Sequence, residues 1–289
     1  MKNKNVYEKV VCYHHSDSDG KMSAAVVASI YPGAEFREIN YNQPYSFDGL
    51  TDIMVIVVDF SFPDMQLLKD SCKLLCWIDH HETAKKEQKE LWDSDEIDGL
   101  REIGKCGAWL TWEWFYPHES PPTAIKLVND YDLWIKALPE SDRFNERISL
   151  QKFSKVFWVP LLEEGEHINK YVQEGAVLLN QKKKRVVSSI KRGKKKALMV
   201  ANGDGWFENV FWINSSPMDV SLTGSEILDK GYDIAVMYFV DTDKVVFGLR
   251  SNKCDVSKMA EGYGGGGHKK ASGFSLPLKE AFKLLTGEK

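Results

Sequence analysis

The chain has 289 residues, enough for two domains of ordinary size, and its 43% hydrophobic and 28% charged content excludes a disordered polypeptide. Thirty-eight basic against 42 acidic residues leave a net charge of −4, so overall charge does not argue for a polyanion binder. No apolar run approaches the roughly 18 residues of a membrane span, and the opening stretch MKNKNVYEKVV lacks the apolar core of a signal peptide. The five cysteines (Cys12, Cys72, Cys76, Cys106, Cys254) form no paired framework, which predicts a reducing, cytoplasmic setting.

Val6 to Tyr13 is expected to be a strand running through His14-His15-Ser16-Asp17-Ser18-Asp19-Gly20 into an alanine-rich helix from Lys21 to Tyr31. A strand, a short acidic turn with glycine, then a helix opens an α/β unit. Asp17 and Asp19 are alternate residues, so an extended segment would turn both carboxylates to one side, where a divalent cation relieves their repulsion. An EF-hand loop is excluded, because Val26 stands where that loop needs a bidentate glutamate.

Ile53 to Val58 is continuously apolar, as a strand covered on both faces should be, and it ends in Asp59. A helix is predicted from Pro63 to Ser71, then a strand from Lys73 to Ile78 that ends in Asp79-His80-His81. Neighbouring strand residues point to opposite faces, so His80 and His81 can serve one site only where the strand is turning. Open α/β sheets place their ligands at that edge. Three successive strands ending in acid or imidazole therefore predict a metal site.

Glu82 to Ile103 reads as loop or surface helix, and Trp109 to Tyr116 as an aromatic core helix. A further helix opens at Pro121-Pro122 and leads into Asp130-Tyr131-Asp132, a fourth acidic cluster. Glu146 to Phe157 and Glu163 to Lys196 are helical in pattern. Nine of the sixteen residues from Gln181 to Lys196 are Lys or Arg, which reads as a solvated connector or as a basic wall facing a phosphate-bearing substrate. Beyond it, Ala197 to Val200 and Val210 to Asn214 are short strands, and Ile234 to Val240 with Lys244 to Arg250 form a hairpin around Asp241-Thr242-Asp243. After a short helix from Asp255 to Glu261 come four glycines, Gly264 to Gly267, then His268. Glycine costs backbone entropy and packs nothing, so the run is expected to bring backbone N–H groups close to an anion at a helix N-terminus, with His268 and Arg250 as partners.

In this order, the segments resemble the DHH phosphoesterase family with its DHH-associated C-terminal domain. The matching motifs are His15 to Gly20, Asp59, Asp79-His80-His81, the Asp130-Tyr131-Asp132 region, and Gly264 to Gly273 with Arg250-Ser251 upstream. Gly107-Ala108-Trp109 and Asp130 to Trp134 are most similar to the small stand-alone members. The resemblance implies an α/β fold with a parallel-sheet catalytic domain over residues 1–158 and a helical basic connector over 159–196. A smaller α/β substrate-binding domain would occupy 197–289, with the active site in the cleft between the two domains. It also implies two divalent metals, usually manganese, with magnesium or cobalt as substitutes. One would be held by His15, Asp17 and Asp59, the other by Asp19, Asp59, His80 and a motif-four aspartate. His15 is favoured over His14, and Asp130 over Asp132. Asp59 and His81 would be the catalytic residues, with His81 on the scissile phosphate, and Arg250, Ser251, Gly265, Gly266, Gly267 and His268 would bind the far end of the substrate. The expected activity is hydrolysis of short single-stranded oligonucleotides or dinucleotides to nucleoside monophosphates. Adenosine 3′,5′-bisphosphate phosphatase, cyclic-dinucleotide phosphodiesterase and an inactive nucleotide-binding protein are the alternatives. No membrane partner is expected, and no feature assigns an oligomeric state.

Overall fold

The computed structural model describes residues 9–41, 43–199 and 206–287, so the expected strand positions Val6 to Glu8 and Val200 lie outside the described residues. The chain divides into two compact units, 1–178 and 179–289. The division falls within one long helix, inside the stretch 159–196.

The first unit is built on a parallel sheet of four strands: β1 (Val10–His15), β2 (Glu35–Ile39), β3 (Met54–Val58) and β4 (Leu74–Ile78), in the order β2-β1-β3-β4. Helix α1 (Ser18–Ile30) links the first pair, and α2 (Met65–Ser71) lies between β3 and β4. β2 was not anticipated: its charged, alternating Glu-Phe-Arg-Glu-Ile pattern suits an edge strand, and Glu35 is exposed while Ile39 is buried. β3 is buried at every position, as its unbroken apolar run requires.

One face of the sheet buries Val11, Tyr13, Val55, Val57, Leu75 and Trp77 against Phe60, Phe62, Met65 and Leu68. The other buries Val10, Cys12, Ile56, Val58, Cys76 and Ile78 against Val27 and Leu110. The helices after β4 are α3 (Glu82–Glu87), α4 (Lys89–Trp92), α5 (Gly107–Phe115), α6 (Thr123–Asp132), α7 (Ser141–Ile148), α8 (Lys155–Trp158) and α9 (Glu166–Ile190). The stretch expected as one helix from Glu146 to Phe157 is therefore two. Ser154 starts the second by accepting the Phe157 N–H on its side chain.

The register sets the functional edge. His14 of β1 is level with Val58 of β3, and Val58 with Ile78 of β4. The residues one step beyond that row are His15, Asp59 and Asp79. Three neighbouring strands thus bring an imidazole and two carboxylates to one height at the same sheet edge.

In the second unit, a six-stranded sheet has the order β11-β12-β10-β9-β8-β5. Its strands are β5 (Lys194–Lys195), β8 (Val210–Asn214), β9 (Ile234–Asp241), β10 (Lys244–Arg250), β11 (Gly266–His268) and β12 (Ala271–Pro277); β6 (Leu198–Met199) and β7 (Trp206–Phe207) pair separately. β8 and β9 are parallel and the rest antiparallel. Helices α10 (Val220–Leu228), α11 (Val256–Glu261) and α12 (Leu278–Thr286) complete it. The hairpin expected around Asp241-Thr242-Asp243 is present, and Thr242 takes the left-handed turn conformation, φ 54°. Among the described residues, no helix is long and apolar enough to cross a membrane.

Candidate metal centre

Each side chain at the strand ends is positioned by an identifiable local device. His14 and His15 alternate across β1. His14 turns into the interior, its ring 4.9 Å from that of Phe153 and its Nδ1–H donating to the His15 carbonyl at 2.8 Å. Burial pulls the His14 pKa down to about 4, so it is a neutral core residue. His15 points the other way, with Nδ1 2.9 Å from Asp17 Oδ2 and 3.8 Å from Asp59 Oδ2.

Asp17 and Asp19 are not in an extended segment, as the sequence suggested, but at the start of α1. Asp17 is its N-cap, accepting the Gly20 N–H at 2.9 Å. Asp19 lies in the first turn and is aimed at the N-terminus of α5. Its two oxygens accept the Gly107 and Ala108 N–H groups at 2.7 and 2.8 Å. Gly107 carried no functional weight in the sequence beyond the family resemblance. The structure shows its use: an added Cβ would lie 2.6 Å from Asp59 Cβ and 2.8 Å from its Oδ1. Gly107→Ala should therefore push Asp59 out of place and weaken manganese binding by about 10- to 100-fold, the cost typical of losing a ligand's support. Isothermal titration of the metal-free variant with manganese checks this.

Asp59 adopts φ 55°, a left-handed conformation in which aspartate and asparagine are better tolerated than most residues. Its carboxylate is 1% exposed and faces two ways. Oδ1 lies 3.1 Å from His80 Nε2, while Oδ2 is buried without a hydrogen-bond partner, 3.8 Å from His15 Nδ1. His80 Nε2 is also 3.5 Å from Asp19 Oδ2 and 3.7 Å from Asp132 Oδ2. The side chains thus gather into one group of His15, Asp17 and Asp59 and another of Asp19, His80 and Asp132, with Asp59 between them.

The fourth motif corrects the sequence reading. Asp130 was the expected ligand, but α6 continues through Asp132. Residues two apart on a helix are about 200° apart around its axis and cannot share a face. Asp130 points away from the cluster: Oδ1 accepts the Ala137 and Leu138 N–H groups at 2.8 and 3.2 Å, and Oδ2 accepts the Ser141 hydroxyl at 2.6 Å. Asp132 is the carboxylate that reaches His80, and its Oδ2 is buried without a hydrogen bond.

Asp79, fully buried, organises the turn that brings both histidines to one site. Its Oδ1 accepts from the His80 N–H at 2.7 Å, the His81 N–H at 3.3 Å and His81 Nδ1 at 2.6 Å, and its Oδ2 accepts from the Ser61 hydroxyl. Burial alone would lower the pKa of His81, but the Asp79 carboxylate overrides it and lifts the value to about 9, so His81 is an imidazolium at neutral pH. Burial and mutual repulsion push Asp59, Asp19 and Asp132 upward instead. Crowded carboxylates, buried oxygens without hydrogen bonds and two imidazoles fit divalent cations, and the absence of thiolate suits manganese or magnesium.

In the second unit, Arg250 ends β10 and is held by α10: its guanidinium donates to Ser221 Oγ at 2.9 Å. Ser251, expected at the substrate, is instead fully buried. Its hydroxyl donates to the Asp233 carbonyl at 2.7 Å and accepts the Lys253 and Cys254 N–H groups, which ties a turn. The glycine run also differs from expectation, leading into strand β11 rather than a helix. A Cβ on Gly265 would lie 2.6 Å from Phe274 Cβ, and one on Gly267 2.8 Å from the Ala271 carbonyl oxygen. Close strand packing therefore accounts for these two glycines. Gly266 and His268 pair with Gly273 and Ala271 of β12.

Residues 222–287 match the family model of the DHHA1 domain. A pGpG-specific phosphodiesterase, PggH from Vibrio cholerae, superposes over 96% of both chains with a TM-score of 0.53 at 13% identity. The chain has the DHH–DHHA1 fold. The exonuclease RecJ bound to manganese shares it, covering 95% of this chain and 88% of that one with a TM-score of 0.51 at 15% identity. An uncharacterized protein of Acanthamoeba polyphaga mimivirus is 28% identical, covering 92% of this chain and 67% of the viral protein.

Proposed function

We propose that this chain is a metal-dependent phosphodiesterase that hydrolyses short oligonucleotides or dinucleotides to nucleoside monophosphates, with manganese as its metal. The observation that carries the reading is Asp59, whose two carboxylate oxygens are buried between two separate groups of imidazole and carboxylate ligands. A pGpG phosphodiesterase and a manganese-bound exonuclease on the same fold support it.

His15, Asp17 and Asp59 would hold one ion, and Asp19, Asp59, His80 and Asp132 the other. Bound there, the ions would supply a water of lowered pKa and offset negative charge on the phosphoryl oxygens. The chain's own contribution is positioning. The α5 N-terminus holds Asp19 in one orientation through two N–H donors. Asp79 fixes His81 through Nδ1 and keeps it charged, so Nε2 is the nitrogen that would donate to a phosphoryl oxygen.

The test is a panel of a dinucleotide, a five-nucleotide RNA, the matching DNA, adenosine 3′,5′-bisphosphate and cyclic di-AMP, each followed by chromatography with manganese. The reading predicts mononucleotide release from the dinucleotide or short RNA. Hydrolysis confined to the bisphosphate, or no metal-dependent turnover at all, would contradict it.

A further inference from the structure

Divalent ions held by carboxylates and imidazoles can grip a phosphoryl group, but they cannot tell a nucleoside ester from any other phosphate. The residue that could do so lies just past β2. Ile39 is level with His15 across the β1–β2 pair, so Tyr41, two residues further on, emerges at the same sheet edge. The turn that carries it is tied down: Asn40 Oδ1 accepts the Ser16 hydroxyl at 2.5 Å, and the Asn40 N–H donates to Gln43 Oε1 at 3.0 Å. The Tyr41 ring lies 4.8 Å from that of Phe60, 5.8 Å from His15 and 6.2 Å from His81, centroid to centroid. The His15 and His81 rings are themselves 6.5 Å apart, so Tyr41 sits against both of them at once. Phe60 is buried at 2% exposure, whereas Tyr41 is 48% exposed. A large aromatic face, held in place and half open, stands beside the atoms that would hold the scissile phosphate.

We propose that Tyr41 is a specificity-determining residue whose exposed ring stacks on the nucleobase attached to the phosphate held at the cluster. This rests on the phosphodiesterase reading above and adds the substrate feature it recognises, an aromatic base next to the reacting phosphate. Every base has a π face, so such a platform favours nucleosides without choosing among them. A tyrosine ring offers this area at low entropic cost because it has few rotatable bonds.

The experiment measures binding of adenosine 5′-monophosphate and ribose 5-phosphate to the manganese-loaded full chain by calorimetry, for wild type, Tyr41→Phe and Tyr41→Ala. Melting temperature and manganese affinity are recorded for each as controls on folding and on the cluster. The wild type and Tyr41→Phe are expected to bind the nucleotide at least about tenfold more tightly than the sugar phosphate, within the range of one base–aromatic stack. Tyr41→Ala should lose that preference while ribose 5-phosphate binding stays unchanged. No preference in the wild type, or an equal loss for both probes in Tyr41→Ala, would overturn the assignment and leave the phosphodiesterase reading standing. Manganese binding with neither probe retained would sink that reading, and this one with it.

Discussion

Replacing Asp59 by Asn is expected to stabilise the metal-free protein while it sharply reduces stabilisation by manganese and lowers turnover more than about 100-fold. The substitution keeps the size of the side chain and suits the left-handed backbone, φ 55°. It removes one charge from a buried group in which burial and then Asp19, Asp17 and Asp132 all disfavour ionisation. A carboxyl whose folded pKa is raised binds more protons folded than unfolded, so it costs stability as pH rises above the unfolded value of roughly 4. The metal-free wild type should thus lose stability with rising pH through that range, and Asp59→Asn should flatten the slope. With manganese at a hundred times its Kd, the wild type gains about 2.7 kcal/mol for each ion bound. The variant should gain far less. Thermal melts at several pH values, with and without manganese, read both effects. An unchanged manganese shift in the variant would remove Asp59 from the centre.

The two aspartates of α6 should separate just as sharply. Asp130→Ala leaves the Ala137 and Leu138 N–H groups without their acceptor, while the Ser141 hydroxyl keeps the Leu138 carbonyl at 2.9 Å, and the two unpaired donors should cost on the order of 3 kcal/mol. For a chain of this size that is roughly 6–12 °C in Tm. Protein that remains folded should still bind manganese at full stoichiometry. Asp132→Asn should behave oppositely, with no loss of metal-free stability, weakened manganese binding and turnover down by more than about 100-fold. Melting curves and metal titrations on both variants decide the matter. Loss of metal in folded Asp130→Ala, with Asp132→Asn unaffected, would reverse the assignment.

The same pair shows where sequence reading reaches its limit. The three strand ends were legible because long apolar runs are bounded by an abrupt Asp or His, and a parallel sheet puts such ends at one edge. Choosing between Asp130 and Asp132 needed the helix terminus to within two residues, and Tyr131-Asp132 carries no stop signal of its own. Asp79 was visible as part of the motif, but its work in pinning His80 and His81 depends on Ser61 and on backbone donors that no spacing reveals. Gly107 reads as a helix start, and its closeness to Asp59 is a tertiary fact. The glycines before His268 showed the reverse error. Their composition suggested an anion loop, while Gly265 and Gly267 answer to the close approach of β12. Tyr41 sits in a turn after a charged edge strand, where pattern carries almost no information.

The most direct test of the account is a crystal structure of the manganese-loaded chain with an anomalous difference map at the manganese edge. The account predicts two peaks, one bound by His15, Asp17 and Asp59 and the other by Asp19, Asp59, His80 and Asp132. A single peak that leaves Asp59 uncoordinated, a site built on Asp130, or no peak at the strand ends would contradict it.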